Sequence, residues 1–546
     1  MSWIDVAPIC VVVGRTRHKM VQAEIQQAAR LGAGFIEVRL DFLAHAPDFK
    51  RLLHQKPCPL MATVRRPHDG GRWNGSESAR ESLLRQAIVA GFDWVDLETD
   101  IANFIPRFRD VRRVVSYHNM QEMPADLEKI HAAMCKQDAD IVKIAVRAQG
   151  PLDNLRVLAL LRNPPRPTVA FCMGDLGMPS RILGRVFGAP FTYGAFNKER
   201  NVAPGLLTFQ ELKRVYHYER IDPSTKIFGL LGDPVAQSLS PLVHNTAFRA
   251  LDINAVYVPI RVPRADLRTV VKEFDRIPVH GYSVTIPHKE AAAVLAKHRH
   301  GAVERTQAAN TLVRSGDGSF IAYNTDYQGA LDSLLNAMAP PNLKAAEAPV
   351  PSTAIVTQAA FSGFQQNPSP ARPEPPSVPD TLVGRSVLIL GAGGVARAIA
   401  HALHAQQAAV TIANRTADRA HKLAEEVGCR FIEWSGRHSV MADVLVNCTS
   451  VGMHPNLDES PAHFSFFHPN LIVFDTVYNP ETTLLIKEAR ERHCKVLTGV
   501  DMFIRQAALQ FELFSGKKPP LELMGSAMRQ ALSPVVPRPE EEEDVV

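Results

Sequence analysis

The first 200 residues repeat one pattern, in which a short run of apolar and β-branched residues is followed by a stretch with helical periodicity. Helices are predicted over stretches such as 21–31, 77–90, 125–136 and 152–160. An open doubly wound sheet is the competing architecture, but eight evenly spaced repeats in this length favour an N-terminal (β/α)8 barrel, or TIM barrel. The eight runs that predict strands are 8–14, 34–41, 59–65, 94–99, 113–118, 140–146, 168–173 and 192–196.

A break at residues 219–224 separates this region from a second α/β pattern, which begins at Lys226 and runs to about residue 336. Residues 339–380 hold 10 of the chain's 40 prolines, a composition that predicts a flexible insert. A third α/β pattern starts at Gly384, and the chain ends in prolines and glutamates that are typical of a solvated tail. The expected segments are a barrel over 1–220, a lobe over 225–336 completed by 501–532, an insert over 337–382, a third domain over 383–500 and a tail over 533–546.

Composition excludes several classes of protein. With 46% hydrophobic and 21% charged residues, the chain resembles a globular protein of the aqueous phase. A net charge of +5 does not favour nucleic acid as a partner, and no apolar run reaches the roughly 18 residues of a membrane-spanning helix. The seven cysteines form no CxxC pair, so we expect reduced thiols and no metal site. Without a recognisable signal or transit segment, a cytoplasmic location is expected.

A glycine-rich turn follows a buried strand near the start of the third pattern. The strand Val387-Leu-Ile-Leu runs into this turn, and an alanine-rich helical segment follows it. That context is typical of a Rossmann domain, in which the turn lets a dinucleotide pyrophosphate approach the backbone at a helix N-terminus. The residues of the turn are Gly391, Ala392, Gly393, Gly394, Val395 and Ala396.

The next predicted strand indicates which dinucleotide binds there. It ends in Asn414-Arg415-Thr416, at the place where NAD enzymes carry an acidic residue for the ribose hydroxyls. An arginine suits a 2′-phosphate, so NADP is favoured over NAD as the cofactor. Alternatively, Arg415 simply faces solvent.

Charged residues collect at the carboxyl ends of the predicted barrel strands, where the chemistry of such barrels takes place. Three arginines, a histidine and a lysine would meet at one mouth, and this mouth would suit an anionic substrate. Lys143 stands in an otherwise apolar strand, where burial and neighbouring cations lower the pKa of an amine and make it a nucleophile for carbonyls. The alternative is a lysine in a salt bridge. His118 on the neighbouring strand favours chemistry, because elimination through an imine needs a proton shuttle.

Five short motifs in this region resemble type I 3-dehydroquinate dehydratases. The resemblance covers about residues 5–215 and implies that Lys143 forms an imine with the C3 ketone, while His118 removes the C2 proton and helps water to leave. It also implies that Arg39, Arg65 and Arg181 bind hydroxyls and carboxylate, with Glu37 in support. The motifs are Glu37-Val-Arg39-Leu-Asp41, Thr63-Val-Arg65, Ser116-Tyr-His118, Val142-Lys143-Ile-Ala and Pro179-Ser-Arg181.

The chain departs from that family at three positions. Asp69 stands where the family has a glutamate near the histidine, and it is counted here with the substrate-binding residues. The family's lid loop reads Ser-Ala-Pro-Gly-Gln, whereas this chain has Val202-Ala-Pro-Gly-Leu206. Losing two polar contacts costs a few kcal/mol of binding at most, about 1 kcal/mol for each hydrogen bond. We expect reduced affinity with the imine chemistry retained.

Motifs between about 226 and 530 resemble shikimate dehydrogenases. By that resemblance Lys289 and Asp326 handle the proton of a ketone reduction by NADP(H), with lysine at the reacting oxygen and Asp326 orienting it. The resemblance places Thr285, Asn310 and Gln506 on the ring hydroxyls and Ser238 and Ser240 on the carboxylate. Thr449 and Gly499 would border the cofactor and Tyr478 the substrate, although Tyr478 could equally be a packed core residue. The motifs are Gly232-Asp-Pro-Val-Ala-Gln-Ser238-Leu-Ser240, Ser283-Val-Thr285-Ile-Pro-His-Lys289, Ala309-Asn310, Tyr323-Asn-Thr-Asp326, Asn447-Cys-Thr449 and Gly499-Val-Asp-Met-Phe-Ile-Arg-Gln506.

The two resemblances together predict a fused enzyme for consecutive steps. 3-Dehydroquinate would lose water at the barrel, and the 3-dehydroshikimate so formed would be reduced at the second site. Two alternatives stay open at this point: a barrel that only binds or scaffolds beside an active dehydrogenase, and a dehydrogenase that prefers quinate to shikimate. Oligomeric state does not follow from these motifs.

Overall fold

The computed structural model describes residues 5–200, 203–339 and 382–533. The lid residue Val202, the Pro-rich insert beyond residue 339 and the acidic tail therefore lie outside the described residues. Two compact units are present, one formed by Met1–Pro241 with Asp252–Val279 and the other by Leu242–Leu251 with His280–Val546. No helix within the described ranges is long and apolar enough to cross a membrane.

Eight parallel strands form the core of the first unit. They lie in the order β7-β6-β5-β4-β3-β2-β1-β8, and no ladder joins β7 to β8 among the described residues. Nearly all their residues are buried on both faces, as expected where helices cover a parallel sheet. The (β/α)8 prediction is therefore confirmed. The strands are β1 Ile9–Val13, β2 Ile36–Arg39, β3 Leu60–Thr63, β4 Trp94–Glu98, β5 Arg112–Asn119, β6 Ile141–Arg147, β7 Thr168–Met173 and β8 Thr192–Ala195.

Helices and short turns connect these strands. Helix α3 has Ser76 as its N-cap, which accepts a hydrogen bond from the backbone N–H of Ala79, and Gly91 closes it in the left-handed conformation. The first unit also contains the parallel pair β9 Lys226–Gly232 and β10 Ala255–Arg261. The helices of the barrel are α1 His18–Arg30, α2 Phe49–Leu52, α3 Glu77–Ala90, α4 Leu127–Met134, α5 Asp153–Leu160 and α6 Met178–Leu183.

A mixed sheet forms part of the second unit, in which β13 pairs antiparallel with both β11 and β14, and β12 is parallel to β14. Helix α8 belongs to the first unit, and α7 crosses the boundary between the units. The strands are β11 Val279–Val284, β12 His298–Arg299, β13 Thr311–Arg314 and β14 Phe320–Tyr323. The helices of this stretch are α7 Ser240–Ala250, α8 Leu267–Glu273, α9 Lys289–Leu295, α10 Gly301–Thr306 and α11 Thr325–Met338.

The remainder of the second unit is a Rossmann domain, as predicted. Six parallel strands lie in the order β17-β16-β15-β18-β19-β20. The strand order reverses between β15 and β18, and ligands bind at such switch points in α/β sheets. The strands are β15 Ser386–Leu390, β16 Ala409–Asn414, β17 Arg430–Glu433, β18 Val444–Asn447, β19 Ile472–Asp475 and β20 Lys495–Leu497. The helices are α12 Gly394–Ala405, α13 Ala417–Val427, α14 Leu484–Glu491, α15 Gly499–Ser515 and α16 Leu521–Leu532.

Candidate active sites

A cavity of about 50 Å³ opens at the carboxyl ends of the barrel strands. Tyr193, Phe171 and Leu206 form part of its wall. All seven side chains that the sequence places at this mouth line the cavity: Glu37, Arg39, Arg65, Asp69, His118, Lys143 and Arg181. The parallel register brings them together, since charged residues at the ends of successive strands share one edge.

Lys143 lies almost completely inside this cavity wall, with its side chain 4% exposed. Its Nζ is 3.0 Å from Asp96 Oδ2, 3.9 Å from Glu37 Oε1 and 4.1 Å from the centre of the Tyr193 ring. Burial and the charge of Arg65 lower the pKa of Lys143, and this effect exceeds the opposing effect of the two carboxylates. A larger share of neutral amine is therefore available at this position than on an exposed lysine.

His118 is buried beside a cation. Its Nε2 lies 2.5 Å from Arg65 Nη1, and its Nδ1 has no hydrogen-bond partner within the described parts of the chain. Burial, then Arg65 and Lys143, hold the pKa of His118 well below its ordinary value. A neutral imidazole next to the amine can accept a proton from carbon.

Asp69 is engaged away from the histidine. Its Oδ2 accepts a hydrogen bond from Arg66 Nε at 2.7 Å and lies 3.2 Å from His68 Nε2. Among the residues that the structure describes, no hydrogen bond joins Asp69 to His118. The aligned position is therefore part of the cavity wall, but its carboxylate is held by Arg66.

Two acidic residues of β4 complete the charge network, and the sequence analysis did not select them. Asp96 contacts Lys143, lies 2.8 Å from Arg65 Nη2 and accepts a hydrogen bond from Ser116 Oγ at 2.6 Å. Although burial raises the pKa of Asp96, Arg65 and Lys143 outweigh it and hold the pKa far below the ordinary range. Glu98 lies 3.5 Å from Arg65 Nε and pairs closely with the buried Arg80. The sequence does contain a signal for them, because Asp96 and Glu98 alternate with Leu97 at the carboxyl end of a predicted barrel strand.

The arginines of the cavity differ in what neutralises them. Arg39 donates to both carboxylate oxygens of Asp41, at 2.9 and 2.8 Å. Arg181, by contrast, has no hydrogen-bond partner at Nε or Nη1 in the described ranges, and its guanidinium stacks on Phe171 at 4.3 Å. Burial lowers the pKa of Arg181 to about 10. A buried, unpaired cation is costly, so this position suits a carboxylate of a bound ligand.

In the second unit, a lysine and an aspartate form a close pair. Lys289 begins α9 and Asp326 lies in the first turn of α11, with 2.6 Å between Nζ and Oδ2. Their side chains are 14% and 9% exposed. Because the aspartate holds the ammonium in place, the pair can deliver a proton to an oxygen that approaches from the open side.

Buried amides lie beside this pair. Asn310 Nδ2 donates to Thr325 Oγ1 at 2.9 Å and lies 3.4 Å from Gln506 Oε1, which brings two predicted substrate residues into contact. Thr285, which follows β11, is partly exposed.

The other predicted substrate residues have different surroundings. In the loop after β9, Ser238 Oγ accepts a hydrogen bond from the backbone N–H of Ser240 at 3.2 Å, within the first unit. Tyr478 packs against the Phe503 ring at 5.1 Å, and burial raises its pKa.

A cavity of about 490 Å³ lies at the switch point of the Rossmann sheet. Gly391 has φ +115°, and a Cβ there would lie 2.8 Å from the Cys448 carbonyl oxygen, so only glycine fits this turn. Of the predicted cofactor residues, those that line the cavity are Gly391, Ala392, Gly393, Asn414, Arg415 and Thr449. Three residues that were not predicted from the sequence line the same cavity: Arg419, Trp434 and Arg437.

The remaining predicted cofactor residues lie around the turn without lining the cavity. Gly394 and Val395 begin α12, Ala396 is buried in it, and Thr416 is the N-cap of α13. A Cβ on Gly394 would lie 3.6 Å from Lys289 Cδ, so the lysine is adjacent to the nucleotide turn. Gly499 begins α15 and lies directly against the Val477 carbonyl, where a side chain would clash. No cluster of three or more potential metal ligands is found in residues 5–200, 203–339 and 382–533.

Family models match both parts of the chain. The model described as type I 3-dehydroquinase matches residues 9–223. The models of the shikimate dehydrogenase substrate binding domain, the shikimate / quinate 5-dehydrogenase and the shikimate 5′-dehydrogenase C-terminal domain match residues 230–312, 377–456 and 499–532.

Individual proteins match over most or about half of the chain. A chloroplastic bifunctional 3-dehydroquinate dehydratase/shikimate dehydrogenase from Arabidopsis thaliana is 34% identical over 95% of this chain and 84% of its own length. The shikimate dehydrogenase (NADP(+)) of Methanothermobacter thermautotrophicus is 34% identical over 57% of this chain and 99% of its own. Among solved structures, shikimate 5-dehydrogenase from Thermus thermophilus with NADP(H) and shikimate has 31% identity and a TM-score of 0.46, covering 56% of this chain and 100% of that one.

Proposed function

Since this chain belongs to the family of bifunctional 3-dehydroquinate dehydratases/shikimate dehydrogenases, we propose how its two sites divide the two reactions. The barrel converts 3-dehydroquinate to 3-dehydroshikimate, and the second site reduces 3-dehydroshikimate to shikimate. The observation that carries the first assignment is the buried Lys143 beside His118, both with lowered pKa values.

In the barrel, the neutral amine of Lys143 attacks the C3 ketone, and water leaves as the imine forms. The imine withdraws electrons from C2, and His118 takes the C2 proton. The C1 hydroxyl then departs as water with a proton from the same imidazole, and a second water hydrolyses the imine to free Lys143. Arg181 binds the substrate carboxylate, because it is the buried arginine whose charge no carboxylate of the described residues neutralises.

In the second site, NADP(H) supplies hydride to the ring ketone when it is bound. Lys289 donates the proton to the developing alkoxide, and Asp326 holds the ammonium in position. Asn310, Thr285 and Gln506 bind ring hydroxyls. Ser238 and Ser240 are assigned to the carboxylate on the resemblance of their motif, and that motif supports shikimate over quinate.

The residues of the nucleotide cavity fit NADP. The Gly391 turn leaves room for a pyrophosphate, and Arg415 with Arg419 supplies positive charge where a 2′-phosphate would lie. Replacing Arg415 with glutamine should raise KM for NADPH about tenfold and KM for NADH little, since one charge-assisted hydrogen bond is lost. All seven cysteines are free thiols, which supports a reducing compartment.

A single assay tests the two-step assignment. The full chain is given 3-dehydroquinate alone, then with NADPH, and both the enone product and NADPH consumption are followed. We expect dehydroshikimate in the first case and shikimate in the second. Borohydride treatment in the presence of substrate should reduce the imine and leave a covalent substrate adduct on Lys143, which mass spectrometry detects. The alternative is that the barrel only binds ligand, which the apolar Leu206 in the cavity wall favours. In that case the chain would reduce added dehydroshikimate, but it would not form dehydroshikimate from 3-dehydroquinate and no imine would be trapped.

A further inference from the structure

Tyr193 on β8 is a buried member of the dehydratase cavity to which the proposed mechanism gives no role. The residue is 4% exposed, and its ring centre lies 4.1 Å from Lys143 Nζ. Its hydroxyl is buried and has no hydrogen-bond partner among the described residues. Buried hydroxyls are nearly always bonded, so an unpaired one beside a reactive amine needs a reason.

Packing accounts for the ring and not for the hydroxyl. The Tyr193 ring makes edge contacts with Phe171 and Phe191 at centroid distances of 6.0 and 5.4 Å. Its face lies against the Lys143 amine, with Nζ 4.1 Å from the ring centre. A phenylalanine would provide every one of these contacts and would avoid the desolvation of an oxygen. The hydroxyl therefore adds nothing to the packed barrel itself.

Most other polar groups of the cavity are already engaged. Arg39 is bound to Asp41, and Glu37 Oε1 accepts a hydrogen bond from Thr63 Oγ1 at 2.8 Å. Leu206, where the related lid loop carries a glutamine, contributes only carbon to the wall. Burial, then the charges of Glu37 and Asp96, raise the pKa of Tyr193 well above its ordinary value, so the phenol stays protonated and can donate a hydrogen bond.

We propose that Tyr193 is a substrate-binding residue of the dehydratase. Its hydroxyl donates a hydrogen bond to a ring hydroxyl of the substrate, in place of the polar lid contact that Leu206 does not make. The inference rests on the proposed function of the barrel, because it presupposes a polyhydroxylated ring held over Lys143.

The test is Tyr193→Phe in the full chain, which removes one oxygen and keeps the ring. KM for 3-dehydroquinate should rise about tenfold with kcat nearly unchanged, since the contact binds ground state and transition state alike. Reduction of added dehydroshikimate in the same preparation should not change. The matched control is Tyr216→Phe, because Tyr216 is buried in the same unit and does not line the cavity.

A second variant separates a binding role from a structural one. Leu206→Gln should lower KM more in the Tyr193→Phe background than in the natural chain, because the new amide replaces the missing hydroxyl. If Tyr193→Phe leaves KM unchanged, or if Leu206→Gln acts equally in both backgrounds, the inference is wrong. Failure of the proposed function would look different, since the natural chain itself would then make no dehydroshikimate.

Discussion

Lys143 and Lys289 are the two lysines to which we assign chemistry in the proposed function, and their surroundings differ in kind. Lys143 projects from a strand into a wall of polar groups, with Asp96, Glu37, Arg65 and a tyrosine ring around it. Lys289 stands at the start of a helix with one close carboxylate, Asp326, and remains partly open to solvent. One side chain type thus meets two electrostatic settings in a single chain.

The difference explains how the same amine can have opposite duties. An imine-forming lysine must lose its proton, and burial beside a second cation favours that loss. A lysine that protonates an alkoxide must be held close to the reacting oxygen, and the Asp326 carboxylate 2.6 Å from Lys289 Nζ can position it for that step. In the proposed function it is therefore the surroundings of each lysine that make one a nucleophile and the other an acid.

The variant Lys143→Ala is expected to have the largest effect, because it removes the proposed nucleophile of the dehydratase. Dehydratase activity should fall roughly a thousandfold or more, because Lys143 is the one lysine among the described residues that line the cavity. Imine trapping should vanish, while reduction of dehydroshikimate by the same sample stays normal. Dehydratase activity near that of the natural chain would mean that Lys143 is not the nucleophile.

The reciprocal change is Lys289→Ala. Loss of the proton donor should lower kcat for dehydroshikimate reduction about a hundredfold or more, and the dehydratase rate should be unaffected. Steady-state kinetics on both reactions measure this. Equal losses in both activities would instead indicate general damage to the fold, which circular dichroism of the variant would reveal.

Much of this contrast could be predicted from the chain alone. The β-branched runs predict all eight barrel strands, and Lys143 is conspicuous because it interrupts one of them. The glycine turn and the Asn414-Arg415-Thr416 string predict the nucleotide cavity in the same way. Each of these signals is local, because a few consecutive residues carry it.

The site residues that could not be predicted from the sequence reach their sites through pairing between strands that are distant along the chain. Asp96 lies 47 positions before Lys143 and reaches it only because β4, β5 and β6 are neighbours. Arg437 follows β17 and lines the same cavity as the turn after β15. Asp69 lines the cavity as the resemblance implies, but its carboxylate accepts a hydrogen bond from Arg66, a partner that the resemblance does not indicate.

The variant Asp96→Asn tests how the charges around Lys143 set its pKa and stabilise the barrel. Because Asp96 raises the pKa of Lys143, its neutralisation should move the limb of the dehydratase pH profile that reports Lys143 to lower pH. It also leaves the buried Arg65 with a weaker partner, so unfolding free energy at neutral pH should fall by about 3 kcal/mol. Urea unfolding and kcat/KM profiles measure the two effects.

The sign of the pH dependence follows from the depressed pKa of Asp96 in the folded state. Its charge contributes stability that is present above the unfolded pKa, near 4 for an aspartate, and is lost as pH falls below it. The Asn variant should therefore lose less stability on acidification than the natural chain. An unchanged acid limb in both stability and activity would mean that Asp96 does not set the charge balance around Lys143.

The smallest expected effect is that of Asp69→Glu, which restores the family's longer side chain in the barrel. Arg66 Nε lies 2.7 Å from the Asp69 carboxylate, and no hydrogen bond from Asp69 to His118 is found within the described residues. One more methylene should therefore change dehydratase kcat/KM by less than about threefold. Asp93→Glu is the matched control, since Asp93 pairs with Lys56 near the surface of the same barrel. A tenfold gain with Asp69→Glu, absent from the control, would make this carboxylate a partner of His118. The imidazole would then be positioned by a carboxylate, as Lys289 is by Asp326. The two sites would in that case differ only in the nucleophile that the barrel carries.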